Sequence, residues 1–434
     1  MSNQLVEPKT LKGFRDFLPE DMRLRKKVIE TIQAVFEKYA YEPLETPTLE
    51  YLSVLNGKYG EDEKLIYHFL DHGQRPVAMR YDLTVPTARV IAQYYHQLSF
   101  PFKRYQIQPV WRADNTQKGR YRELWQCDAD AYGTQSILVE SEWMAIGLEV
   151  FQKLNLPNVH GMLNHRKLLD ILLKQVISCE PSEYTHIAVS LDKLDKIGWE
   201  GVAAELLRRG VRRNISEHTV TLFQSLIAQN DRLEYLSQIL KDNELGIKYI
   251  EEIKNILKYI AEVGLDSKKI LFNPVIVRGL SYYTGIVWEW QDSDAGIGSL
   301  GGGGRYDHLI SMFTGRDVPA AGGSFGLERI IDILKESDKG YLEGNNILVF
   351  STENPNEMSL VSSQLRNHGY QVYQYPDSQR LEKVIKYALQ KHIRFLIFND
   401  NTNEGGLVIK DLNQHTQHLS DHANILNSIQ ELAT

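Results

Sequence analysis

FPFKRYQIQPVWRADNTQKGRYRELWQCDADAYG, residues 100–133, decides the fold. It reads as two long strands joined by ADNTQKG, residues 113–119. Hairpins usually close in two to five residues, so a longer connection marks a loop with work to do. Side chains alternate along a strand, which places Arg122, Leu124, Gln126, Asp128 and Asp130 on one face of the second strand. A Gln and a carboxylate on one sheet face suit a small polar cation. A solvated face with paired charges fits the same spacing. Arg112 ends the first strand, and Lys118, Arg120 and Arg122 cluster where the loop exits. Guanidinium groups make forked hydrogen bonds to phosphate oxygens, so cations at such a loop suit a polyphosphate.

Upstream, HFLDHGQRPVAMRYDLTVP reads as a hairpin turning around Asp71 to Gly73. Before it, Leu24, Val28, Ile32, Val35, Phe36 and Tyr39 recur at helical spacing. Pro19, Glu20 and Asp21 suit the first turn of that helix, by fixed φ and by charge at the positive end of the dipole. YEPLETPTLEYL, with its prolines, reads as extended and edge-like.

Downstream, VESEWMAIGLEVFQKL returns to helix, and residues 170–268 are helix-like throughout. Strand character resumes at ILFNPVIVRGLSYYTGIVWEWQD, so the strand-rich domain is discontinuous: 1–169 and 269–335, around a helical insertion at 170–268. The polar stretch 336–346 reads as a linker. Residues 347–434 then alternate ILVF, a helix, YQVYQY, a helix and RFLIF, the pattern of a small α/β domain with a largely parallel sheet. Its second helix presents Leu381, Val384, Ile385, Ala388 and Leu389 on one face.

SLGGGGRYDHL fits neither G-x-G-x-x-G nor a Walker A loop, since Tyr306 stands where the last Gly belongs and no G-x-x-x-x-G-K-[ST] occurs. It reads as a strand corner with close backbone packing, or as a floor for a flat substrate. VRGLSYYTG brings Arg278, Tyr282 and Tyr283 to a strand end. In GGSFGLERI, Gly326 leads into a helix bearing Glu328 and Arg329. An Arg at a helix start opposes the macrodipole, which favours an anion nearby; an ordinary surface arginine is the plain alternative. His415, His418 and His422 fit a metal site or a solvated tail. Arg208, Arg209, Arg212 and Arg213 fit RNA phosphates or a solvated helix end.

A chain of 434 residues exceeds one compact core. Its formal net charge of −7 gives no chain-wide sign of nucleic-acid binding, though a local basic face can still bind phosphate. Two cysteines, Cys127 and Cys179, cannot build a cysteine-rich zinc site. No apolar run long enough to span a bilayer and no secretory apolar core occur, so a cytoplasmic protein without membrane contact is expected.

These segments together carry a resemblance. FKRYQIQPVWRADNTQKGRYRELWQCDAD and GGSFGLERI resemble the second and third signature motifs of class II aminoacyl-tRNA synthetases. FRDFLPEDMRLRKKVIETIQAVFEKYAYEPLETPTLE resembles the first, a dimer-interface helix and strand. VRGLSYYTGIVWE and GGGGRYDHL resemble segments of the histidine-specific branch, and MRYDLTVP its amino-acid contact strand. The class I signatures HIGH and KMSKS are absent.

The resemblance implies an α+β protein: an antiparallel-sheet catalytic domain, a helical insertion and a C-terminal α/β anticodon-binding domain. It implies a histidine–tRNA ligase that activates L-histidine with ATP and Mg²⁺, without a prosthetic group, and charges tRNA(His) as a homodimer. Arg112 and Arg278 would serve the α-phosphate, Arg329 the γ-phosphate, and Arg120 the nucleotide; no metal is expected on protein ligands alone. Asp82, Leu83, Thr84, Gln126 and Asp130 would surround the α-amino group, and Tyr282 and Tyr283 the imidazole. The family usually has Asp where this chain has Ser281, and a more basic loop with Pro where it has ADNTQKG. Two other classes share the scaffold: a non-catalytic paralogue that regulates histidine biosynthesis, and a pure RNA-binding protein. Retention of the Arg278 segment and the C-terminal domain argues against the first, and the Arg112, Arg278 and Arg329 set against the second.

Overall fold

The structure is a computed structural model and describes residues 6–58, 60–116, 119–276, 282–336, 346–353, 355–399 and 406–433. It forms two compact units, residues 1–337 and 338–434. The strands of the first are β1 (Glu42–Pro43), β2 (Leu49–Tyr51), β3 (His68–Leu70), β4 (Pro76–Met79), β5 (Phe102–Trp111), β6 (Glu123–Tyr132), β7 (Val159–His165), β8 (Ile270–Phe272), β9 (Ile286–Asp292), β10 (Gly301–Arg305) and β11 (Ala320–Gly326).

Eight of them form one sheet, in the order β1-β5-β6-β11-β10-β9-β7-β8. The two outer pairs, β1 with β5 and β7 with β8, are parallel, and every pairing between them is antiparallel. The expected α+β architecture with an antiparallel central sheet holds, and β1 sits at the edge as its proline requires. β5 and β6 pair over their full length, from Phe102 opposite Tyr132 to Trp111 opposite Glu123.

One face of this sheet is covered by the Pro19–Lys38 and Leu138–Lys153 helices. Val28, Ile32, Val35 and Phe36 of the first are fully buried. Phe36 meets Trp143 and Phe325 at ring-centroid distances of 5.9 and 6.0 Å, joining both helices to β11. Tyr39 lies just past the helix rather than on its face, and its hydroxyl donates to Glu149 at 2.6 Å. The other face, which carries Gln126, Asp128 and Asp130, is left open to form the floor of a cleft.

β3 and β4 form the expected hairpin, with β2 added to make a three-stranded sheet. MRYDLTVP is not a single strand, however. β4 ends at Met79, and a helix begins at Thr84 and runs to Tyr94. Asp82 Oδ1 accepts the Val85 N–H at 3.1 Å and so satisfies an orphan donor of that helix.

Between β7 and β8 the described chain is helical. His165, which begins this block, stacks on Tyr249 at 4.3 Å and reaches Glu252 at 3.2 Å, tying the Glu244–Glu262 helix to β7. The arginine cluster here is taken up by carboxylates. Arg208 and Arg209 pair with Glu205, Arg212 with Glu183, and Arg213 with Glu217. These pairings fit the helix-end reading.

The second unit contains β12 (Ile347–Phe350), β13 (Val372–Gln374), β14 (Phe395–Asn399), β15 (Gly406–Asp411) and β16 (Thr416–Asp421), in the order β13-β12-β14-β15-β16. The first three are parallel, but β14, β15 and β16 run antiparallel, so the sheet is mixed rather than largely parallel. Ile347 and Val349 pack with Val361, Leu365, Ile425 and Ile429 on one side, and Leu348 and Phe350 with Val384 and Ala388 on the other. A strand covered on both faces reads as an unbroken apolar run, which is why ILVF shows no alternation. Leu389 is 53% exposed and lies outside this core, because the packed stripe is narrower than the periodicity implies. The histidines are not a tail: His415 sits in the β15–β16 turn, His418 in β16 and His422 in the turn beyond it. Linker residues 337–345 lie outside the described residues.

Candidate active site

The open face of the large sheet floors a cleft of about 410 Å³. Asp82, Thr84, Arg112, Arg120, Gln126, Asp130, Tyr282, Tyr283 and Arg329 all line it. They come from segments up to 247 residues apart, brought together because β6 and β11 are neighbours in the sheet. Leu83 does not line it; it is fully buried in the core. Arg278, Ser281 and Lys118 lie outside the described residues. Arg122 precedes β6 and turns away toward the loop, donating to the Asp114 and Lys12 carbonyls at 3.2 and 3.5 Å.

The cleft is bipolar. At one end stand guanidiniums held by backbone and carboxylate acceptors. Arg112 donates to the Tyr81 carbonyl at 3.0 Å and lies 4.5 Å over the Tyr81 ring. Arg120 donates to Asp114 at 2.7 Å, and Arg329 to the Ser299 carbonyl at 2.5 Å. Glu328, next to Arg329, accepts from Nη1 and Nη2 of Arg25 at 2.9 and 3.0 Å and also from Arg15. This clamp fixes the start of the Leu327–Glu336 helix, and with it the position of Arg329.

At the other end lie buried carboxylates. Asp130 and Asp128 are each 2% exposed and project from β6 beside Gln126. Arg104, fully buried on β5, places Nη2 2.5 Å from Asp130 Oδ2. The contact is close but poorly directed, so it is an ion pair without hydrogen-bond geometry. Tyr306 donates its hydroxyl to Asp130 Oδ1. Burial pushes the Asp128 carboxyl up to about 7 and raises Asp130, while Arg104 pulls both back down. Tyr282 lies 4.8 Å from Tyr283 and 5.7 Å from Tyr306, forming an aromatic wall beside the carboxylates.

Glycines make the floor. A Cβ on Gly322 would fall inside the Asp130 carboxylate, and one on Gly303 inside the Gly322 carbonyl. Gly301 and Gly302 line the cleft, so the run serves both close strand packing and an open floor. Arg104, Tyr306, Arg15 and Arg25 escaped the sequence reading. Arg104 had a signal, since it sits in a strand interior where a charge needs a partner. Tyr306 had none beyond its place after the glycines.

A family model described as histidyl-tRNA synthetase matches residues 13–330, most of the chain and all the segments that line the cleft. The chain belongs to the histidyl-tRNA synthetase family. The histidine–tRNA ligase of Phocaeicola vulgatus is 36% identical over 444 residues, covering 95% of this chain and 97% of that one. A crystal structure of histidyl-tRNA synthetase from Nostoc sp. PCC 7120 is 28% identical, has a TM-score of 0.85 and covers 98% of this chain and all of that one. A structure from Bacillus halodurans C, described as an ATP phosphoribosyltransferase regulatory subunit/histidyl-tRNA synthetase, shares the fold at 21% identity, with a TM-score of 0.73 and coverage of 91% and 99%. In this member of the histidyl-tRNA synthetase family, no helix among the described residues is long and apolar enough to cross a membrane. No group of three or more His, Cys, Asp or Glu among the described residues could hold a metal ion.

Proposed function

We propose that the chain is a histidine–tRNA ligase, joining L-histidine to ATP as histidyl-adenylate with release of pyrophosphate, then transferring histidine to the 3′ end of tRNA(His). The observation that carries this reading is the bipolar cleft: buried carboxylates at one end and arginines at the other, on one open sheet face. An α-amino acid needs an anionic partner for its ammonium group, and a triphosphate needs cations.

The acidic end, with Asp82, Thr84, Gln126 and Asp130, takes the α-ammonium group. Tyr282 and Tyr283 flank the imidazole. Arg112 and Arg120 hold the nucleotide, and Arg329 the γ-phosphate of a bent ATP. Mg²⁺ would accompany ATP as part of the co-substrate and would offset the charge of its phosphates. A carboxylate oxygen of histidine attacks the α-phosphorus in line, and pyrophosphate leaves. Negative charge grows on the five-coordinate phosphorus, where fixed guanidiniums stabilise it. Arg112 does this from the end of β5, and the family resemblance assigns Arg278 the same duty. A ribose hydroxyl of the tRNA terminus then attacks the activated carbonyl, and AMP departs. No protein nucleophile takes part; holding the reactants in register supplies the rate.

The C-terminal unit serves as the anticodon-binding domain, residues 170–268 as the helical insertion, and the enzyme works as a cytoplasmic homodimer. A pyrophosphate-exchange assay with each of the twenty amino acids tests the central reading. Exchange should depend on histidine. A folded protein that exchanges with no amino acid would instead support the regulatory paralogue.

A further inference from the structure

Tyr283 lines a second cavity, of about 360 Å³, as well as the cleft, so the two share a wall. Other walls come from the segment that leaves β7 and enters the helical insertion: Arg166, Lys167, Asp170 and Lys174, with Tyr184 from the Pro181–Leu191 helix. Three cations thus meet one carboxylate. That carboxylate is already engaged, since Asp170 Oδ1 accepts the Tyr184 hydroxyl. The Tyr184 ring lies 5.8 Å from the Arg166 guanidinium and 5.6 Å from Lys174 Nζ, so one tyrosine touches the carboxylate and two of the cations. His308, also on the wall, pairs with Asp317 at 3.0 Å.

The cations at 208–213 are different: each has a glutamate. Among the described residues, neither Lys167 nor Lys174 is in an ion pair. Lys174 also lies in a π turn, Leu172–Val176, that continues the Arg166–Ile171 helix. Such turns are rare and recur at functional sites. Like charges gathered at one cavity repel until an anion enters. A guanidinium fork and two ammonium groups suit an anion with several oxygens and more than one charge.

We propose that this second cavity is a phosphate-binding site, separate from the phosphate end of the cleft and held by Arg166, Lys167 and Lys174. Two sources carry that chemistry: a small free oligophosphate, and the sugar–phosphate backbone of an RNA. The site goes beyond the ligase reading, because none of these three cations has a part in the adenylation step.

The test compares the full chain with the double variant Lys167→Ala/Lys174→Ala, with a thermal melt to confirm folding. Both proteins are first saturated with adenosine 5′-(α,β-methylene)triphosphate, an unreactive ATP analogue, to occupy the arginines of the cleft. Inorganic tripolyphosphate is then titrated by calorimetry, and tRNA(His) binding is followed over a range of salt concentrations. The double variant should bind tripolyphosphate about tenfold more weakly, the loss of two charge-assisted contacts. If RNA backbone is the source, tRNA(His) binding weakens too, and the slope of log affinity against log salt falls by about two, one for each lysine. Unchanged tRNA binding beside weakened tripolyphosphate binding assigns the site to a free oligophosphate. Equal affinities of both proteins for both probes overturn the proposal. So does weaker tRNA binding alone with no change of slope, since the lysines then touch no phosphate. If the double variant does not fold, Lys167→Ala and Lys174→Ala singly carry the same comparison, with half the change in slope. Histidine-dependent pyrophosphate exchange should be the same in all these proteins. Wild-type protein that fails to exchange sinks the ligase reading and leaves this comparison standing.

Discussion

Arg104 and Asp130 face each other across the β5–β6 ladder, both almost wholly buried, with Nη2 2.5 Å from Oδ2. Removing one partner of a buried ion pair strands the other charge. Arg104→Met should destabilise the first unit by about 3–5 kcal/mol in urea unfolding. It should also raise the KM for histidine, because Asp130 then rises further and protonates. A variant as stable as wild type would show that Asp130 is already neutral in the free protein.

Arg112→Ala and Arg278→Ala should each lower the kcat of histidine-dependent pyrophosphate exchange by ~10²–10³, the usual cost of losing one donor to a developing charge. Circular dichroism should be unchanged. Near-normal exchange by either folded variant removes that arginine from the chemistry.

Gly322→Ala places a methyl group where the Asp130 carboxylate lies, with the Ala129 carbonyl closing the other side. Side chain and backbone cannot both yield, so about 1–3 kcal/mol of stability should be lost. The KM for histidine should rise more than that for ATP, since the displaced group is at the acidic end. Equal changes in both constants would mean that the strand pair moves as a whole.

Glu183 accepts from Arg212 at 2.7 Å and caps its own helix through the Glu180 N–H. Hydrogen bonds from Arg212 hold its carboxyl down, from 4.5 to about 2. The depressed value means that this stabilisation is complete above about pH 4.5 and disappears as pH falls toward 2. Glu183→Gln should lower stability at neutral pH by about 1–3 kcal/mol and flatten the acid limb of the stability curve. An acid limb unchanged in the variant would place the titration elsewhere.

A chain ending at Glu336 keeps every residue that lines the cleft. It should retain histidine-dependent pyrophosphate exchange if the catalytic dimer survives, and should charge tRNA poorly, because a second contact on one tRNA raises effective concentration. If exchange and charging fall by the same factor, the C-terminal unit braces the first and the anticodon role loses its support.

Residues 100–133 alone determined much of this protein. Their period-two alternation specified the β5–β6 pair, and the same alternation put Gln126, Asp128 and Asp130 on one face. The helical repeat from Leu24 to Phe36 specified the helix beneath. Such periodicities are local, because a backbone of fixed rise presents its side chains at fixed intervals. Tertiary structure decided the rest. Which Asp oxygen is engaged depends on Arg104 one strand away and on Tyr306 at the end of β10, two strands away. Leu389 has the spacing of a core residue yet stands exposed, and β15 and β16 form an edge hairpin where the histidines suggested a tail. Arg212 looks like part of a phosphate patch until Glu183, 29 residues away along the chain, is folded against it. A charge or an apolar side chain takes its meaning from what it meets in space, and those partners come from strands and helices that spacing along the chain does not bring together.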